Sequence, residues 1–223
     1  MTQRMTERLA KTSRAGASLV LLVVAAGCTP VQSTPLHPAA VGSLMPLVKD
    51  RDAGRVAAVA GFDVTPYQTI AIGTASVDMP ASWSEEDRRI ATSVVAHLRS
   101  ELAQRLRTAG RFERVADGVR AQDPSASALR LDVRITALEL DQLVPTELWQ
   151  WLGPGAIQME TRFVDAASGR VVLATADRRT ARQATTQTRD VAGTTALLNE
   201  AANYLVMDLV TFLGRLERTA AHT

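Results

Sequence analysis

The side chains able to do chemistry are few and scattered. Cys28 is the single cysteine of the 223-residue chain, so its thiol is either a target for acylation or a small buried group, and no intramolecular disulfide can form. His97 is the one histidine outside the two ends, with no second histidine or cysteine near it in sequence. A metal site there would have to be completed by carboxylates alone, and none is expected. Glu85, Glu86 and Asp87 are consecutive, so on a helix they point to different sides. They suit the positive start of a helix better than paired acid–base work. Asp177-Arg178-Arg179, with Arg182 and Arg189 beyond, is a basic cluster that could grip an anionic glycan or a lipid headgroup. The alternative is a solvated strand end. Trp149 and Trp151 lie two residues apart before Gly153-Pro154-Gly155, a spacing that turns both rings the same way in extended backbone. Such a pair is either a lid on the end of a sheet or an exposed contact patch. Trp149, Trp151, Arg178 and Arg179 are therefore the candidate partner-contact residues. No catalytic residue is assigned, because no G-x-S-x-G, H-E-x-x-H or phosphate-binding loop is present.

The stretch around Cys28 fixes how these residues are presented. Arg4, Arg8, Lys11 and Arg14 face a lone Glu7, and an uncharged apolar run follows from 15 to 27. It is too short to span a bilayer, and its small end, Ala25-Ala26-Gly27, suits a signal peptidase. Val24-Ala25-Ala26-Gly27-Cys28 resembles the lipobox of a bacterial lipoprotein, departing only at Ala25, where leucine is commonest. The resemblance implies that Cys28 becomes the first mature residue and carries a diacylglycerol thioether and an amide-linked acyl chain, an anchor stable by its two or more chains. Thr29 after the cysteine implies sorting to the outer membrane of a two-membrane cell. The alternative is a secretory signal followed by a buried free thiol. Residues 1–27 are thus read as signal peptide, and 28–63 as lipidated cysteine and Pro-rich tether. The folded part is read as 64–218, with a C-terminal tail at 219–223.

Charge excludes one class of partner. The whole chain carries 25 basic and 23 acidic residues, a net of +2. The first 27 residues hold four of the basic and one of the acidic, so the remainder has 21 against 22, a net of −1. A near-neutral mature chain has no electrostatic reason to bind nucleic acid.

The elements follow from periodicity. Residues 67–77 are rich in β-branched side chains between Pro66 and Pro80 and read as a strand, with Ile70 and Ile72 on one face. Ser84 is a helix N-cap; Ile90, Val94, Leu98, Leu102 and Leu106 recur every fourth residue until Gly110. Residues 111–115 read as a short strand. Leu129, Leu131, Val133 and Ile135 alternate with Arg130, Asp132, Arg134 and Thr136, and the phase slips at Thr136-Ala137. Residues 157–163 and 170–177 read as a hairpin closed by Asp165-Ala-Ala-Ser-Gly169. Leu198, Ala202, Leu205, Leu209, Phe212 and Leu216 mark a second helix over about 195–216. Residues 47–61 fit either a short helix or a strand. The sum is an α+β fold: one small domain with a four- or five-stranded, mostly antiparallel sheet and two long helices on one face.

With these elements placed, the chain resembles a bacterial lipoprotein family known only as domain of unknown function 3313. The likeness rests on 67–77, the 84–106 helix, Ala128-Leu-Arg-Leu-Asp-Val-Arg-Ile-Thr136, Gly155-Ala-Ile-Gln-Met-Glu160, the Asp165–Gly169 turn and Asp177-Arg178-Arg179. The chain departs at Thr180-Ala181, where a glycine is expected. The resemblance implies a lipid-anchored envelope protein and no chemistry. The expectation is a non-catalytic accessory lipoprotein, without cofactor or metal, that contacts the membrane through Cys28 and binds another envelope component. Two alternatives stay open. A glycan- or small-ligand-binding module would need a cleft lined by the tryptophans and arginines. An enzyme would need a polar constellation assembled across elements.

Overall fold

The computed structural model of the chain describes Leu44 and residues 48–118, 127–140, 156–181 and 191–220. Seven strands, β1 (Val48–Asp50), β2 (Gly54–Ala58), β3 (Thr69–Val77), β4 (Arg114–Asp117), β5 (Ala128–Leu138), β6 (Ala156–Asp165) and β7 (Val171–Thr180), form one sheet in the order β1-β2-β7-β6-β5-β3-β4. Two helices, α1 (Glu85–Ala109) and α2 (Val191–Ala220), complete the described fold. The sheet is mixed: β3 runs parallel to β4 and β5, and the other neighbours are antiparallel.

The α+β class and the two helices agree with the sequence, but the sheet has seven strands rather than four or five. The two additional ones, β1 and β2, come from the ambiguous 47–61 stretch. They are only three and five residues long, too short to show a period of their own. Their identity comes from β2 pairing with β7, a non-local contact. The sheet therefore begins at Val48, within residues read as tether, and Leu44 packs on Ala57, Ala174 and Ala176. At the other end α2 continues to Ala220, past the expected end of the folded part at 218. Residues 1–43, including the signal stretch, lie outside the described residues.

Local chemistry explains the elements. Ser84 and Asp87 form a capping box: Asp87 N donates to Ser84 Oγ at 3.1 Å, and Ser84 N donates to Asp87 Oδ2 at 2.9 Å. Gly110, at φ 63°, ends α1 in the left-handed conformation that costs glycine least. All five residues of the fourfold α1 stripe are buried, and so are those of α2 except Leu216, which is half-buried. The stripes meet Ile70, Ile72, Leu129, Leu131, Val133, Ile135, Ile157, Met159 and Phe163 from the sheet. The register shift expected near Thr136 falls between Ile135 and Ala137. At the hairpin, Asp165 Oδ1 accepts from Ser168 N at 2.7 Å and Ser168 Oγ at 2.6 Å, and Gly169 takes φ 68°.

Candidate functional site

The sheet face that carries no helix among the described residues is not simply wet. Cross-strand neighbours there alternate in charge, with Asp132 opposite Arg162 and Arg134 opposite Glu160. Asp132 and Glu160 are only 6% and 5% exposed; Asp132 is held by Arg130 of its own strand at 3.1 Å, while Arg134 turns to Asp78 at 2.8 Å. Asp132 Oδ1 also accepts from Thr74 N at 3.0 Å in the irregular stretch of β3. A Cβ on Gly73 would lie 2.2 Å from that oxygen, so the contact requires glycine. The hollow bounded by Thr74, Ser76, Asp132, Arg134, Glu160 and Arg162 holds about 70 Å³. That is room for a few waters, far below the few hundred cubic ångströms of a small-molecule site.

A larger, open cleft of about 440 Å³ lies where β3 ends, lined by Asp78, Met79, Pro80, Trp83, Thr136, Ala137 and Leu138. Met79 is 38% exposed. Ion pairs flank it. Arg134 Nε meets Asp78 Oδ1 at 2.8 Å, and Arg178 pairs with Glu139, the residue after Leu138. An apolar centre with a charged margin is the usual anatomy of a protein contact. Residues 139–155 connect β5 to β6, so the segment bearing Trp149 and Trp151 leaves the sheet at this same end.

The four candidate contact residues separate. Trp149 and Trp151 lie outside the described residues, as do Cys28, Arg182 and Arg189. Arg178 and Arg179 are neighbours on a strand and so point to opposite faces. Arg178 turns to Glu139 beside the cleft. Arg179 turns beneath α2, where Nε meets Asp208 Oδ2 at 2.7 Å and Nη1 meets Asp177 Oδ1 at 3.0 Å, with its side chain 13% exposed. One patch containing both guanidiniums is therefore not what the strand builds.

The same region gathers acids that sequence reading did not connect. Arg215 of α2 makes a two-pronged contact to Asp50 at 2.7 and 2.8 Å and reaches Asp52 Oδ2 at 2.7 Å. Burial works to raise the Asp50 carboxyl, but the Arg215 hydrogen bonds, the amides of Ala53 and Asp52, and the Arg215 charge outweigh it and bring it down to about 2. Asp177 goes the other way: burial pushes it up to about 6, opposed by Arg179 and the Arg178 amide and reinforced by Asp208 and Asp50. Nothing in the local sequence links residues 50, 52, 177, 179, 208 and 215. The only signal available was a run of charge, Asp177-Arg178-Arg179, interrupting an apolar strand.

His97 is half-buried. It lies beside Leu98 at the edge of the α1 stripe, and its Nε2 meets Asn203 Oδ1 of α2 at 2.8 Å. Among the described residues no three metal-binding side chains are grouped to hold an ion, and no helix is long and apolar enough to cross a membrane.

No family model matches the chain, and no curated protein matches it, so the family likeness rests on the motifs quoted above. Solved structures resemble it weakly. A PelC dodecamer from Paraburkholderia phytofirmans is 16% identical, with 68% of this chain and 98% of that one covered and a TM-score of 0.39. Protein XCC0632 from Xanthomonas campestris, of the DUF330 family model, is 13% identical over 74% of this chain and 93% of that one, at a TM-score of 0.46. A Caulobacter crescentus protein described as a candidate lipoprotein is 15% identical over 72% and 94%, at 0.29. At these scores the likenesses carry no argument, and the fold stands on its own strand pairing and core.

Proposed function

We propose that the chain is a non-catalytic lipoprotein of the cell envelope, anchored through acylated Cys28 in the outer membrane. Its role is to bind another envelope protein at the end of the sheet where β3 and β5 stop. The supporting observation is the open cleft of Asp78, Met79, Pro80, Trp83 and Leu138, about 440 Å³, at the end from which the Trp149 and Trp151 segment departs. Aromatic side chains with an apolar pocket beside them are the usual anchors of such contacts, each worth about 2 kcal/mol or more of binding. The sequence supports the anchor: a basic start, an apolar run and Ala25-Ala26-Gly27 before the only cysteine.

The test uses protein extracted from membranes. Its intact mass should correspond to a chain starting at Cys28 with acyl groups added. Crosslinking in intact cells should then trap one partner, lost in Met79→Asp, Trp149→Ala and Trp151→Ala while the melting temperature holds. An unacylated N-terminus beyond residue 28 contradicts the anchor, and a collapsed melt in the tryptophan variants makes them core. A second reading has the volume of the cleft in its favour, since it falls within the range of small-ligand sites. A glycan or small molecule that protects the cleft without any crosslinked protein would select it.

A further inference from the structure

The acids beneath α2 outnumber the bases that hold them. Asp50 of β1, Asp52 in the following turn, Asp177 of β7 and Asp208 of α2 share Arg179 of β7 and Arg215 of α2, with the exposed Arg51 also meeting Asp52 Oδ2 at 3.3 Å. Arg179 Nη2 also donates to the Asp52 carbonyl at 3.3 Å. The cluster thus ties the β1–β2 hairpin to both the sheet and the helix. Asp177 is its most enclosed member, 4% exposed, and its Oδ2 is buried without a hydrogen-bond partner among the described residues. β2 closes over it through Gly54: a Cβ there would lie 2.8 Å from Asp177 Oδ1 and 2.4 Å from the Ala176 carbonyl oxygen. The hairpin is also the lightest part of the sheet, with strands of three and five residues at its edge and Val48 67% exposed.

We propose that this cluster is a proton-operated latch, closing the β1–β2 hairpin on Asp177 in acid and loosening it as the pH rises. With a proton on Oδ2, Asp177 needs no second cation, and the hairpin can seal it from water. Without that proton, a carboxylate lies behind Gly54 with Asp50 and Asp208 near it, and its contacts, Arg179 Nη1 at 3.0 Å and the Arg178 amide at 2.8 Å, both fall on Oδ1. A buried charge so placed is costly, and lifting the hairpin hydrates it. The lift leaves β7 as an unpaired sheet edge, the kind of surface on which another strand can pair. Because burial holds the Asp177 carboxyl near 6, against 3.8 when solvated, the closed state binds the proton more tightly than the open one. Closure therefore weakens as pH climbs from about 4 to 6 and stays weak above.

Hydrogen exchange tests this on the acylated full chain in nonionic detergent at pH 5 and pH 8, corrected for the intrinsic pH dependence of amide exchange. Peptides of 48–58 should exchange through an opening more frequent than that of β5. Their protection should fall about tenfold from pH 5 to pH 8, the factor set by the offset between 3.8 and about 6. Asp177→Asn should remove the step. Should that variant fail to fold, Asp208→Asn replaces it and should move the step to lower pH, having removed a negative neighbour and released Arg179. A step that survives Asp177→Asn or is unmoved in Asp208→Asn overturns the latch. So does equal protection of the hairpin and β5, since the hairpin would then open only with the whole fold.

Discussion

Two regions of the same buried face are built by opposite means. Beneath α1, Ile70, Ile72, Leu129 and Leu131 meet Leu98, Leu102 and Leu106, and packing alone decides stability. Beneath the later turns of α2, Asp177 and Arg179 of β7 meet Asp208, and Arg215 meets Asp50 and Asp52. The first region loses free energy in proportion to the volume removed and is indifferent to pH. The second depends on partners: each charge is tolerable only while its counterpart stays. Its stability also varies with pH, in opposite senses for Asp50 and Asp177.

The comparison can be broken most forcefully in the apolar half. Phe163 is fully buried, and Phe163→Ala should cost about 3–5 kcal/mol in urea unfolding, by the same amount at pH 5 and pH 8. A pH-dependent loss there would remove the distinction. In the ionic half, Arg179→Ala should cost about 2–3 kcal/mol, because it abandons Asp177 and Asp208 together. Unlike the Phe163 loss, this one should shrink on acidification as the stranded carboxylates take up protons. An equal loss at both pH values would mean that Arg179 contributes only its packing.

The Asp50 carboxyl gives a sign that can be checked separately. Its pKa in the fold, about 2, lies below the solvated 3.8, so its contribution is complete above about pH 4 and disappears as pH falls through 2. Allowing for its partial contact with solvent, the contribution is at most about 2 kcal/mol. Asp50→Asn should flatten the acid limb of the stability profile between pH 4 and 2, and a limb left unchanged would assign acid sensitivity to other carboxylates.

What the sequence could disclose follows the same division. The α1 stripe, the strict alternation from Leu129 to Ile135 and the Asp165–Gly169 turn were legible because each is a local period or a local hydrogen-bonding motif. β1 and β2 were not, since three- and five-residue strands are defined by pairing with β7, far along the chain. Arg178 and Arg179 read as one basic patch because composition cannot show alternation, yet on a strand one reaches Glu139 and the other Asp208. The cleft beside Met79 was not legible: one wall is Thr136 to Leu138 at the end of β5. Its other wall, Asp78 to Trp83, comes from a segment about 60 residues earlier, brought alongside by the β3–β5 pairing.

The central claim is that the buried Asp177 carboxylate is only partly compensated, and urea unfolding of wild type and Asp177→Asn at pH 5 and pH 8 tests it most directly. Urea is the right denaturant because it leaves charge unscreened. The Asp177 pKa is raised from 3.8 to about 6 in the fold, so wild type loses stability as pH climbs between those values and carries the full penalty above them. Relative to Asp177→Asn, wild type should therefore become less stable by about 1.4 kcal/mol on going from pH 5 to pH 8. A difference between the two proteins that is the same at both pH values would contradict the account.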